Sequence, residues 1–448
     1  MIPPKPTSRP RKMRLWGHFK RFRRDILSAQ PAHLFGAWMA EFKTPFFKSY
    51  LVNDPDVVDR VLRKQPENFP KSERVARGLH GLLGRHSVFV TNGAEWKRQR
   101  RILDPAFAHG RIKDSYPAML AAVQAAVARL PSAPFEAQAF TSHLAADVIF
   151  RTLFSVPIED AKAQAVFEAF QAYQARQPIV NAAAFVPLLG RIGARKGMKE
   201  ARVIRELIAD MVAWRQRQIV AGKAPDDLAT RIMTAQDPDT GACLGAEEMV
   251  DQVAIFFLAG HETSASALAW ALYLLAASPE TQSALWPEVG QLPSDPGFAQ
   301  VAALRQTRCV FQETLRLYPP VPMMVRQTAC PMRLRDRDVG HGAQVVISPW
   351  HLQRHTRIWR EPDAFCPARF DAKAPQSDHE SIRRAYLPFS AGPRVCVGAG
   401  FAMTEGVLSL ALLARAASFA LTDAPAPVPQ AQLTLRSANG IWLQASPR

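Results

Sequence analysis

The chain has 448 residues, 48% of them hydrophobic and 21% charged, with a formal net charge of +17. That balance describes a globular chain with enough apolar residues for a large core, and it excludes a disordered or fibrous one. His261 and Glu262 interrupt the longest apolar run and Arg415 the last one, so no membrane-spanning helix is expected.

Much of the positive charge sits at the front, where residues 1–24 hold nine Lys or Arg and no acid. Leu15, Trp16, Phe19, Phe22 and Ile26 fall at roughly helical spacing, which fits an amphipathic helix in peripheral contact with a membrane surface. A targeting peptide is a second reading, and a solvated basic leader before the body at 25–448 is the plainest. No recognition motif accompanies the charge, so nucleic acid is not expected as a partner.

Residues 46–52 (FFKSYLV) read as a strand, and Asp54-Pro55 as the cap and first turn of a helix. Helices follow from Ala94, around Ala118 to Leu130, around His143 to Phe154, and from Lys196. Glu247 to Ala277 is the longest periodic stretch, about 45 Å of helix at 1.5 Å per residue. After Pro319 the texture changes to short strands and turns, VVISPW at Val345 to Trp350 among them, until a last helix near Gly398. The Pro-rich stretch Asp423 to Gln432 reads as a loop before a final strand pair. The expected class is mainly α with small β-sheets, in one integrated domain.

The five cysteines, Cys243, Cys309, Cys330, Cys366 and Cys396, are far apart and form no CxxC pair. Neither a disulfide framework nor a zinc site is indicated, and a reducing, cytoplasmic compartment fits. Cys396 stands in FSAGPRVCVG, Phe389 to Gly398, a tight Gly- and Pro-bearing loop at a helix start. Glycines let backbone N–H groups approach a sulfur, and a helix N-terminus favours negative charge, so the loop suits an iron-binding thiolate. Glu313 and Arg316 are three apart and share a helical face, where they could pair with each other and with Arg369.

FxxGxRxCxG resembles the haem-binding loop of the cytochrome P450 family. Four further motifs extend the resemblance over nearly the whole chain: Glu313 to Arg316 (ExxR), Ala259 to Thr263 (AGHET), Pro367 to Phe370 (PARF) and Trp96 to Arg100 (WKRQR). The resemblance implies a single-domain fold with a long central helix crossing the haem face, and haem b with Cys396 as its axial iron ligand. It implies that Phe389, Gly398, Ala259 and Gly260 border the haem, that Trp96, Arg100, Arg326 and Arg394 serve its propionates, and that Glu313, Arg316 and Arg369 form a structural network. Thr263 and Glu262 would serve dioxygen activation and proton delivery. His261 is not expected to bind metal. Ala368 and Gln353 depart from the family pattern, the latter expected to alter a hydrogen bond near the haem edge.

The implied reaction inserts one oxygen atom from dioxygen into a small, largely apolar substrate. A pocket for it is expected from Leu82, Leu83, Phe89, Phe185, Phe257, Val321, Met323, Met324 and Ile441. About fifty residues follow Cys396, fewer than a reductase domain needs, so NAD(P)H would act through a ferredoxin- or flavodoxin-type donor and its reductase. Lys97, Arg98 and Arg101 are the expected docking face, and a monomer is expected by analogy. Isomerase or peroxygenase members of the fold and a non-catalytic haem sensor are the alternatives; the acid–alcohol pair Glu262–Thr263 favours the monooxygenase.

Overall fold

The computed structural model describes residues 1–10, 13–43, 47–175 and 187–448, without the side chains of residues 15, 19, 109, 175 and 187–198. Phe185, expected at the pocket, lies outside them.

Helices dominate, and the central one runs unbroken over Ala246–Ala276. Its sequence is apolar on nearly every face, so a position inside the core is the stable one. Helices Ala137–Phe154, Ala399–Ala416 and Arg305–Leu317 pack around it. Ala399–Ala416 is long and apolar enough to cross a membrane by composition, but Phe401 and Val407 to Ala414 are buried in this bundle. At Gly260 a Cβ would run into the Ile149 side chain, so the glycine sets the close approach of the central helix to Ala137–Phe154.

Among the described residues, two sheets of three or more strands and two two-stranded ones accompany the bundle. The largest is four-stranded, in the order Met39–Lys43, Lys48–Val52, Gln344–Ile347, Met324–Gln327. Its middle pair is parallel, with Ser49 opposite Gln344, and its outer pairs are antiparallel. This sheet carries Met324 to Arg326 to the cavity wall. Strand Ala417–Leu421 pairs with Trp442–Pro447, which also meets Phe135–Glu136.

Most expected elements are found. Lys48–Val52 is a strand, and Asp54 caps the helix Pro55–Asp59 by accepting the Asp56 N–H at 2.9 Å. Gly93–Leu103 is helical from its expected start. His109–Ala128 and Ala137–Phe154 begin earlier than periodicity suggests, the first running through Pro117. The stretch expected as a loop before the last strands contains a strand of its own, Pro429–Ala431, paired with Leu435–Ser437.

The basic leader is not a separate appendage. The Phe365 N–H donates to the Met1 carbonyl at 2.9 Å, and Tyr318 Oη donates to the Pro4 carbonyl at 2.7 Å. Arg9 donates through Nε to the Ala29 carbonyl at 2.7 Å, and helix Leu15–Arg24 follows. Charge alone suggests a boundary at residue 24; backbone pairing ties both sides of it to one body.

Candidate active site

A cavity of about 970 Å³ lies against the central helix and the Cys396 loop. Ala259, Gly260, Thr263, Ser264 and Ala267 form one wall, and Phe389, Arg394 to Gly398, Phe401 and Glu405 another.

Cys396 is enclosed by its loop but solvent-accessible through this cavity, which it lines. Its N–H donates to the Phe389 carbonyl at 2.9 Å, which closes the loop. Gly392 holds φ at +70°, where a Cβ would collide with the Leu62 carbonyl, so this glycine seats the loop on the neighbouring segment. Helix Ala399–Ala416 starts immediately after Gly398. Burial pushes the Cys396 thiol above its ordinary value, while the Gly398 N–H and the Arg100 charge act in the opposite direction. A bound cation would reverse that net shift and favour the thiolate.

Four cations gather around Trp96, which is buried at the cavity edge. Arg394, Lys71 and Arg100 lie 5.1, 5.4 and 5.9 Å from its ring centroids. Arg326 completes the group from the sheet edge. Arg100 donates to the Val395 carbonyl at 2.8 Å and pairs with Asp104 at 2.6 Å. Among the described residues, Lys71, Arg326 and Arg394 pair with no carboxylate, and the buried Nε of Arg394 has no partner. Burial, then the charges of Arg326, Arg394 and Arg100, pulls the Lys71 ammonium well below its ordinary value. Burial followed by Arg394 lowers Arg326 to about 10. Buried like charges with unused donors need an anion. A soft thiol and a guanidinium cluster lining one cavity fit haem, whose iron the sulfur would hold and whose propionates the cations would hold.

Lys71 escapes a reading of the sequence. It belongs to no recognised motif, and only tertiary placement brings it to Trp96, its ammonium donating to the Val88 and Thr91 carbonyls at 2.5 and 3.0 Å.

On the central helix, Thr263 Oγ1 donates back to the Ala259 carbonyl at 2.5 Å on the cavity side. Glu262 is buried and turns elsewhere. It accepts from Thr434 Oγ1 at 3.1 Å and lies 3.5 Å from Arg436, and burial raises its carboxyl above the ordinary value. It is not among the residues that line the cavity. His261 faces Ser142 at 2.8 Å and is held neutral by burial, with its pKa lowered to about 3.

The Glu313 network is complete within itself. Arg316 places two N–H groups on Glu313, at 2.6 and 2.8 Å, and three on the carbonyls of Gln353, Pro362 and Ala364, at 2.7 to 2.9 Å. These five bonds equal the donors a guanidinium owns. Arg369 reaches Glu313 at 3.3 Å and Asp378 at 3.5 Å. Gln353 does not line the cavity. Its amide nitrogen donates to the Leu315 and Arg316 carbonyls, both at 3.0 Å, and its oxygen accepts the Leu387 N–H at 2.8 Å. It caps the last turn of the Glu313 helix.

Phe89, Val321, Met323 and Met324 line the cavity as expected. Leu82, Leu83, Phe257 and Ile441 do not: all four are buried in the core. On the helix Glu73–Leu83 the cavity face is Val75, Ala76 and Leu79, three and four apart, so Leu82 and Leu83 turn inward. Phe257 packs on Phe150 and Phe170, with ring centroids 4.9 and 4.4 Å away. Gln432 and Leu433 supply the C-terminal lining in place of Ile441. Trp16 and Phe22 of the leader helix line the cavity as well.

The expected docking cations are all engaged. Lys97 lies 3.2 Å from Glu67, Arg98 pairs with Glu248, and Arg101 lies 2.7 Å from the buried Asp237.

The chain matches the cytochrome P450 family model over residues 15–442. It is similar to the cyclooctatin synthase of Streptomyces melanosporofaciens, 32% identical over 87% of this chain and 84% of the relative. The cyclooctat-9-en-7-ol 5-monooxygenase of the same organism is 31% identical over 87% of this chain and 83% of its own length. Cytochrome P450 4A14 of Rattus norvegicus is 29% identical over 91% and 82%.

Proposed function

The chain belongs to the cytochrome P450 family and is an oxidoreductase of its monooxygenase type, and from that premise we propose that it hydroxylates a small, largely apolar molecule. The observation that carries this reading is the shared cavity: Cys396, Thr263 and the Trp96 cations open onto one space walled for the most part by apolar side chains such as Leu79, Phe256 and Met323.

Haem b, when bound, supplies the iron at which dioxygen is reduced. Cys396 would hold its iron through the thiolate, and Arg100, Arg326, Arg394 and Lys71 would hold its propionates through charge-assisted hydrogen bonds. Phe389, Ala259, Gly260 and Gly398 shape the space beside it. Thr263 presents its hydroxyl to the cavity while bonded to Ala259. Val75, Leu79, Phe89, Phe107, Val321, Met323 and Met324 bind the substrate by excluding water, and the two methionines let the lining adapt to shape. Glu262 holds and moves a proton at its carboxyl, steadied by the Thr434 hydroxyl and the Arg436 charge, away from the cavity wall.

Electrons come from NAD(P)H through a separate ferredoxin- or flavodoxin-type protein and its reductase. Lys97, exposed on the helix that carries Trp96, offers that partner a cation held only by a surface pair with Glu67. The protein works as a monomer in the cytoplasm, where its unpaired cysteines stay reduced. The basic helix Leu15–Arg24 leaves Trp16 largely exposed beside the cavity, which suits peripheral contact with an anionic membrane.

The test is turnover with a surrogate ferredoxin, its reductase, NADPH and isotopically labelled dioxygen, over a panel of apolar compounds. One labelled oxygen atom in the product is expected. Product made without labelled oxygen, or haem binding with no turnover on any compound, would overturn the reading.

A further inference from the structure

Glu405 lies on the Cys396 helix and is fully buried, yet it borders the cavity. Its Oε2 accepts the Ser264 hydroxyl at 2.7 Å, and Ser264 also lines the cavity, next to Thr263 on the central helix. Its Oε1 is buried with no hydrogen-bond partner among the described residues. No cation pairs with Glu405 there, unlike Glu313 with Arg316 and Glu262 with Arg436. A carboxylate so placed would be an unpaired buried charge, whereas the neutral acid is tolerated.

We infer that Glu405 is a proton-holding acid on the cavity wall, with Ser264 as its positioning residue. This rests on the monooxygenase reading, in which each turnover consumes two electrons and two protons to convert the second oxygen atom to water. Oε1 carries the proton, which the acid gives up to the cavity that Glu405 borders. The carboxylate left behind is stabilised by the Ser264 hydroxyl, and it regains a proton from water entering the cavity. Glu405 therefore does on the cavity side what Glu262, turned toward Thr434 and Arg436, is not positioned to do. The burial that raises Glu405 to about 8 keeps it protonated at neutral pH.

The test compares wild type, E405Q and S264A, all loaded with haem, by infrared spectroscopy in H2O and D2O at neutral pH. A carboxylic-acid carbonyl band that shifts in D2O, is missing in E405Q and moves in S264A is expected. Absence of any acid band removed by E405Q overturns the inference. Should E405Q fail to fold, an acid band that stays in place in S264A overturns it instead. The fraction of NAD(P)H electrons that reach product is then measured in E405Q, with haem content and carbonyl spectrum matched to wild type. A fall of about 10- to 100-fold, up to the low end of what a positioned acid contributes, is expected; unchanged coupling overturns the inference. Were wild type itself to make no product, the monooxygenase reading would fail while the infrared result still decided whether Glu405 holds a proton.

Discussion

Two groups of buried charge lie in the same protein and are balanced in opposite ways. Around Glu313, two guanidiniums face two carboxylates, and every N–H of Arg316 is bonded to a protein acceptor. Around Trp96, four cations converge, Asp104 is the one carboxylate within ion-pair distance of them among the described residues, and Arg394 keeps an unused donor. A buried set that satisfies itself is architecture, because burial makes each member costly to remove alone. A buried set of one sign is a receptor, because its desolvation cost is recovered only when an anion arrives.

Removing one member of the self-satisfied set therefore has the largest expected effect. R316A strands Glu313 in the core and should cost about 3–5 kcal/mol. Denaturant unfolding of the variant and its yield of folded, haem-loaded protein check this; wild-type stability would mean that the network is not a keystone of the fold.

The second prediction inverts that logic. R326L removes an uncompensated buried cation, so the haem-free protein should be as stable as wild type or more so. The loaded protein should lose about 1.5–3 kcal/mol of haem affinity, roughly 10- to 100-fold. Unfolding of both forms and haem transfer to an acceptor protein measure the two sides. Equal loss of stability in both forms would erase the distinction between the clusters.

Glu405 gives a third contrast, through pH. Its folded pKa of about 8 exceeds the ordinary 4.5, so the folded state holds the extra proton between these values. Stability from this group is full at and below pH 4.5 and declines as pH rises toward 8. E405Q should flatten that part of the pH–Tm curve, and a slope identical to wild type would contradict the assignment.

The smallest effect is expected at the surface. K97E should slow reduction by an acidic ferredoxin a few-fold at low salt, with the difference vanishing as ionic strength rises. Stopped-flow reduction at two salt concentrations checks it.

The clusters also differ in how far sequence reveals them. Glu313 and Arg316 are one helical turn apart, and the Cys396 loop is contiguous, so local pattern exposes both. Lys71 meets Trp96, and Ser264 meets Glu405 across 141 positions, only after the chain has folded. Leu82, Phe257 and Ile441 show the complementary failure. Composition marks them as apolar, but it does not say which apolar side chains meet a cavity and which meet the core. Gln353 stands out in the sequence as a departure from the family pattern, yet its role as a cap on the Arg316 turn depends on segments brought together by the fold.

The most direct measurement is the absorption spectrum of the reduced protein with carbon monoxide, in wild type and in C396S. A thiolate-type carbonyl band in wild type that is lost in the variant is the expected result. An imidazole-type band in wild type, or a thiolate-type band that survives in C396S, would contradict the assignment of Cys396 as the iron ligand.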